Sequence, residues 1–436
     1  MNYSPIFSLI WLDAFITILS FLPGNISAYN NNESTASENT MLNKRSIKNS
    51  NSTNKDSESI VRNKRSLILS KKYRESFPIN YYVDDKLNFY TIQAALAMIQ
   101  MESCLTFRAL NKPSRNKPGL LFIPKKSKLL HHLDVVRNYR IIKVFLSDTM
   151  PDVERKILLS LGMDYEHCRN DRNKYITLLH RNMRLSKWYK FDVKKPSNTR
   201  TYETMYDYGS FMHGNGKFES KNGLPTIIPK NYLYRKTMGQ NIEMSFLDIK
   251  RLNLFYCASI CRNKKMCLNG SFQSPTTCDC LCVPGFIGPR CETLQSVHMS
   301  CGKTLLSSGN RLKHLSVKGK KRCVYHITSP AGTKLIIKVS NSYIKSPEDE
   351  VCKPSNNLEI KYLNDKTTTG VRLCGNDRNV LIVSEGSHVM VIFNSLDRFN
   401  TFSLFYRNYI YGSVRLVKSE NLEDKYKNRL QKFTDI

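Results

Sequence analysis

The sequence is short of negative charge. Its 36 Asp and Glu stand against 67 Lys and Arg, for a formal net charge of +31 over 436 residues. Such an excess suits acidic glycans as partners, or serves only solubility and reflects biased composition. The basic residues are spread out, with short runs such as Lys125-Lys126 and Lys318-Gly319-Lys320-Lys321-Arg322. No nucleic-acid motif accompanies them, so a nucleic-acid partner is not expected. Long apolar runs are scarce as well. One stretch runs from Ile6 to Leu22, broken by Asp13, and no second follows, so no membrane span is expected in the mature chain. Also absent is any H-E-x-x-H, the helix-borne pair of imidazoles with a Glu base that zinc hydrolases use.

What is present points to a processed, exported protein. The apolar stretch is followed by Pro23, Gly24, Ser27 and Ala28, which reads as a signal peptide over 1–28, an uncleaved anchor being the alternative. Residues 29–65 are rich in Asn, Ser, Thr and Lys and read as a disordered propeptide. They end on Arg62-Asn63-Lys64-Arg65, a dibasic signal whose cleavage makes Ser66 the new amino terminus. Asn32, Asn51 and Asn269 lie in glycosylation sequons. The 13 cysteines imply an oxidising compartment, so the protein is expected to be secreted.

The most informative stretch is 153–175. Ile157, Leu158 and Leu161 form one apolar helical face, Gly162 stops the helix, and a polar reversal follows through Glu166, Arg169, Asp171-Arg172 and Lys174-Tyr175. This outline resembles the active-site stretch of the metzincins, and the tail resembles the astacin metalloproteases in particular. Further on, Tyr206-Asp207-Tyr208-Gly209-Ser210-Phe211-Met212-His213 is similar to the family's Met-turn, with Met212 as its floor. Phe77–Tyr82 resembles its first strand, and Ser220–Pro229, Met238-Gly239-Gln240 and Ser245–Cys257 continue the match. The resemblance implies a two-lobed zinc endopeptidase domain over about 66–257, holding an extended peptide in its cleft, with Cys104 bridged to Cys257.

The scaffold positions match and the catalytic ones do not. Aligned on Leu161-Gly162, Arg155, Leu159 and Tyr165 stand at the three zinc histidines, Lys156 at the Glu base, and Gly214 at the Tyr that follows the turn. No cofactor is therefore expected, although the family uses zinc. His167, the nearest imidazole, reads as a surface loop residue, and Leu159 and Tyr165 are expected to fill the emptied pocket. The resemblance gives Glu166 the role of partner for the freed amino terminus at Ser66. A solvated loop charge, or a partner for Arg169 or Arg172, is the other reading.

The remaining cysteines fall in two groups. Residues 258–292 end in C-x-C-x8-C with Gly285-Phe286-Ile287-Gly288, which resembles an EGF-like module and implies Cys282–Cys291, with Cys261–Cys278 and Cys267–Cys280. The single residue between Cys278 and Cys280 departs from the usual spacing. Residues 301–409 carry alternating apolar runs such as Lys334–Val339 and Val389–Phe393, the pattern of a β-sandwich. Following an EGF-like module they resemble a CUB domain, implying Cys301–Cys323 and Cys352–Cys374. Asp349 and Glu350 are candidate calcium ligands or ordinary loop charges. Cys168 is left over, and 410–436 reads as a basic tail. The fold expected is α+β. The function expected is a secreted pseudoprotease that binds an extracellular protein or matrix ligand. An active metalloendopeptidase with unrecognised ligands and a basic glycan adhesin are the alternatives.

Overall fold

The structure, a computed structural model, describes residues 67–68, 77–113, 118–125, 139–193, 199–200, 202–296, 299–346 and 351–409. The signal and propeptide readings, with Arg62, Lys64, Arg65, Asn32 and Asn51, fall outside these residues. So do Ser66, Asp349, Glu350 and the basic tail. No helix among the described residues is long and apolar enough to cross a membrane.

The first lobe is a four-stranded parallel sheet backed by two helices. Strand β1 (Ile79–Val83) lies between β2 (Phe107–Ala109) and β3 (Gly119–Pro124), and β4 (Tyr139–Val144) pairs with β3. Helix α1 (Phe89–Met101) buries Ile92, Ala95, Leu96 and Ile99, the residues spaced to share one face. Helix α2 (Met150–Ser160) presents Val153, Ile157 and Leu158 to the same core. Strand β4 ends at Val144 although Phe145 and Leu146 prolong its apolar run in the sequence. Phe145 N donates to Asp148 Oδ2 at 2.7 Å, and Phe145 and Leu146 are exposed in the turn that starts α2.

The second lobe has little regular structure beyond β5 (Ile176–Leu178), its antiparallel partner β6 (Ile227–Pro229) and helix α3 (Phe246–Tyr256). Helix α3 opens with a capping box between Ser245 and Asp248. It is tied to the end of α1 by a disulfide between Cys104 and Cys257. After it come three bridges, Cys261–Cys278, Cys267–Cys280 and Cys282–Cys291. They close two short hairpins, Phe272–Gln273 with Cys280–Leu281 and Phe286–Ile287 with Thr293–Leu294. So small a module has little core of its own. Val283 and Phe286 complete theirs against Met390 and Ile392 of the following domain.

That domain is a sandwich. One sheet holds β7 (Leu305–Ser307), β9 (Lys321–Thr328), β14 (His388–Ser395), β11 (Asn357–Lys361) and β12 (Val371–Leu373) in that order. The facing sheet runs β8 (Lys313–Lys318), β15 (Thr401–Tyr409), β10 (Lys334–Ile344) and β13 (Gly375–Val383). Alternate residues such as Leu335, Ile337 and Val339 point into the space between them and are fully buried. Cys301–Cys323 and Cys352–Cys374 staple it.

The sandwich packs on the second lobe over a bonded interface. Asp207 Oδ1 accepts from Thr369 N at 3.1 Å, and Thr237 Oγ1 accepts from Arg372 N at 3.0 Å. Lys236 Nζ donates to Asp377 Oδ1 at 3.0 Å and to Cys374 O at 2.7 Å. The approach is close enough that a Cβ on Gly209 would sit 2.4 Å from the Thr369 side chain. Glycine is required there for contact, not for conformation.

Candidate functional site

Helix α2 sets the corner around which the site is built. Asp152 accepts from Thr149 N at 3.0 Å and from the Thr149 hydroxyl at 2.6 Å, closing the first turn. At the far end Gly162, at φ 91°, reverses the chain and Met163 N returns to Leu158 O at 3.0 Å. The polar stretch after it is drawn inward, not out to solvent. Glu166 N donates to Met212 O at 3.1 Å, which locks the reversal to the Met-turn, and Met212 is buried in the core beside Phe211.

A buried ion network holds this corner. Glu166 is 1 % exposed, and its Oε2 accepts from Arg251 Nη1 at 2.7 Å. Its Oε1 accepts from Asp207 N at 2.8 Å and from Arg169 Nη1 and Arg251 Nη2 at 3.2 Å each. Arg169 in turn spans both oxygens of Asp171 at 2.9 and 3.0 Å. The carboxylate neighbours hold the Arg169 pKa above the ordinary arginine value despite its burial. Among the described residues the cations opposite Glu166 are Arg251 of α3 and Arg169; Ser66, the amino terminus that the resemblance implied there, lies outside them.

The catalytic-position residues are distributed as follows. Arg155 points into a cleft; its Nε donates to Phe211 O at 3.1 Å and its guanidinium lies 4.6 Å over the Phe211 ring. Lys156 turns instead to Asp148, with which it pairs. Leu159 packs against the first-lobe core. Tyr165 stacks on His167 at 5.0 Å between ring centres and meets Phe218 edge-on at 5.4 Å. Burial pushes the Tyr165 phenol up to about 12, so it stays protonated. Gly214 lies under Phe218, where a Cβ would come within 2.7 Å of the ring. No phenol can stand at that position unless Phe218 moves.

His167 is not on the surface. It is 0 % exposed, and both its nitrogens are engaged: Nε2 donates to Lys190 O at 3.1 Å and Nδ1 accepts from Gly214 N at 3.1 Å. Burial holds its pKa well below the ordinary value, so it is neutral. His213 is likewise buried, with Nδ1 on Gly214 O at 2.7 Å and Nε2 against the Tyr206 hydroxyl at 2.6 Å. Cys168 is a buried thiol that donates to Lys190 O at 3.0 Å. Asn269 is exposed on the small module, its amide donating to Cys291 O at 2.7 Å.

Tyr165 and Leu159 do not fill the pocket. A cleft of about 390 Å³ remains, lined by Arg155, Tyr165, Gly214 and Phe218 on one side and by Val351 and Lys353 of the sandwich on the other. The sandwich residues could not be assigned to this site from sequence, because nothing local to Val351 signals contact with a helix so much earlier in the chain.

Behind the cleft, Glu154 of α2 is 1 % exposed and its Oε2 has no hydrogen-bond partner. Desolvation raises its pKa to about 7 from 4.5; Asp248 and Glu102 add to this, while Arg155 opposes it. The folded chain thus holds this proton more tightly than the unfolded chain. Its contribution to stability is full below about pH 4.5 and is lost as pH rises through about 7. Glu154→Gln, neutral at every pH, is expected to stabilise the fold by about 1–3 kcal/mol at pH 8 and to change little near pH 4. Denaturant melts at the two pH values check this, and an equal gain at both would contradict it.

Residues 68–257 match the sequence model of Astacin, a peptidase family. The chain carries an astacin-family domain. Zinc metalloproteinase nas-34 of Caenorhabditis elegans is 31% identical over 355 residues, covering 80% of this chain and 58% of the relative. Zinc metalloproteinase nas-23 of the same nematode is 28% identical over 316 residues, covering 69% and 57%. The chain thus spans less than two thirds of the length of these relatives. Among solved structures, High choriolytic enzyme 1 from Oryzias latipes aligns over 41% of this chain and 88% of its own, at 22% identity and a TM-score of 0.34.

The relatives correct one expectation. They are named zinc metalloproteinases, so zinc is the cofactor to expect of this family, and the reading of the chain as cofactor-free does not stand. The side chains at the α2 corner nevertheless do not fit the metal. Arg155 is a cation, Leu159 has no donor atom, and the nitrogens of His167 and His213 are already hydrogen-bonded. Among the described residues no three His, Cys, Asp or Glu are grouped to hold a metal ion.

Proposed function

We propose that this chain is a secreted, astacin-related binding protein whose cleft takes an extended peptide without cleaving it. The observation that carries the reading is Arg155, whose guanidinium lines the cleft at the turn of α2 and is anchored on Phe211 O at 3.1 Å. A hydrolase needs at this corner a group that activates water and a base that takes its proton. Arg155 remains protonated and can do neither, while Lys156 is paired with Asp148 away from the cleft. The Gly214–Phe218 packing further removes the place for a phenol beside a reacting carbonyl.

The folding machinery around the cleft is intact by contrast. The Met-turn, the Glu166 network and the α1–α3 disulfide hold its walls in place. Six disulfides suit the extracellular setting proposed for it. The test is to incubate the processed protein, with zinc supplied at equimolar concentration, with a mixed peptide library and to follow products by mass spectrometry. No new termini above a heat-denatured control are expected. Zinc-dependent cleavage that a chelator abolishes would establish the chain as a working endopeptidase instead.

A further inference from the structure

We propose that the cleft between Arg155 of α2 and Lys353 of the sandwich is a recognition site for a carboxylate of an acidic peptide. The inference deepens the binding reading above and rests on it. The walls come from two domains and carry two cations, and among the described residues no Asp or Glu lines the space. Arg155 is held from behind by Phe211 O and, at 3.5 Å from Nη2, by Gln240 O, which leaves its other N–H groups to the cleft. A planar guanidinium matches a carboxylate with two parallel hydrogen bonds. The protonated Tyr165 hydroxyl and the Asn215 and Asn241 amides add neutral donors to the same lining.

The fold fixes Lys353 at this place. Its neighbour Cys352 is bridged to Cys374, and Cys352 N donates to Lys236 O of the second lobe at 2.8 Å. The loop is therefore fastened to both domains, while the Lys353 side chain is exposed and pairs with no acidic side chain among the described residues. Two cations supplied to one cleft from two domains, with no acidic side chain among its described lining residues, favour an anion over its neutral isostere. A bounded cleft with two cations and several neutral donors on its walls describes a peptide site better than a diffuse polyanion track.

The experiment measures binding of fluorescent, terminally blocked hexapeptides containing one Glu among alanines, and of the isostere with Gln. A third probe is the Gln peptide with a free terminal carboxylate, which tells side-chain from main-chain recognition. Either acidic form is expected to bind at least about tenfold more tightly than the blocked Gln peptide. Lys353→Glu should abolish that preference, and Lys338→Glu, an exposed sandwich lysine outside the cleft, should leave it in place. Arg155→Gln should also abolish it, with a melting curve run beside it; the exposed Lys353 variant keeps the test open if that protein unfolds. Neutralising Glu348, Asp349 and Glu350, which precede Val351 in the chain, should preserve or enlarge the preference. Equal binding of Glu and Gln peptides, or equal losses in the Lys353 and Lys338 variants, would overturn the site. So would competition by a sulfated oligosaccharide that both variants weaken alike. Cleavage of the probes would sink the binding reading instead, with charge preference still readable from the rates.

Discussion

Glu166→Gln is expected to cost about 3–5 kcal/mol of folding stability, because it leaves Arg251 and Arg169 charged, buried and without their shared partner. Both guanidinium groups are 1 % exposed or less, so water cannot replace the lost carboxylate. The drop should be the same in the precursor and in protein processed after Arg65, since Arg251 is present in both. Urea melts of the two forms make the comparison. A loss confined to the processed form would show that the new amino terminus, not Arg251, is the cation that matters. An exposed pair supplies the control: Lys265–Asp279, with side chains 47% and 68% exposed, should yield about 0–1 kcal/mol on Asp279→Asn.

A loss of similar size is expected on opening the bridge between α1 and α3. Cys104 and Cys257 are 153 positions apart, and closing so long a loop restricts the unfolded chain by about 5 kcal/mol on the chain-entropy account. Replacing both by Ser should lower the urea midpoint accordingly. The short bridge Cys282–Cys291, separated by 9, should contribute less, on the order of 2–3 kcal/mol. A double Ser variant at 104 and 257 as stable as the parent would mean that the Asn253 amide on Glu102 O, at 2.7 Å, and the surrounding core already fix the helices.

The elements legible in the sequence are those with a local pattern. Ile157, Leu158 and Leu161 repeat at helical spacing and pack as expected, and the alternation in Lys334–Val339 sits in a sandwich strand. Together with the α+β class they need no long-range information. The strands at 305–307 and 313–318 carry no such signal: Leu305-Leu306-Ser307 buries no residue fully, and Lys313-His314-Leu315-Ser316-Val317-Lys318 buries only Val317. His167 misleads for the opposite reason. Arg169, Asp171 and Arg172 look like a solvated reversal, but Arg251, far along the chain in α3, joins Arg169 in balancing Glu166 inside the fold. Arg251 does leave a trace, a cation among the apolar residues of α3, but its partner cannot be read from spacing. Lys353 leaves none, since its place over the cleft depends on the interface between two domains.

The central claim is that the cleft holds a peptide and does not cut it. One internally quenched peptide carrying a Glu can report both events, anisotropy following binding and dequenching following scission. Measured with zinc supplied, the account predicts a saturable rise in anisotropy that Lys353→Glu removes, with fluorescence flat overnight. Dequenching that grows with time, requires zinc and survives Lys353→Glu would contradict it.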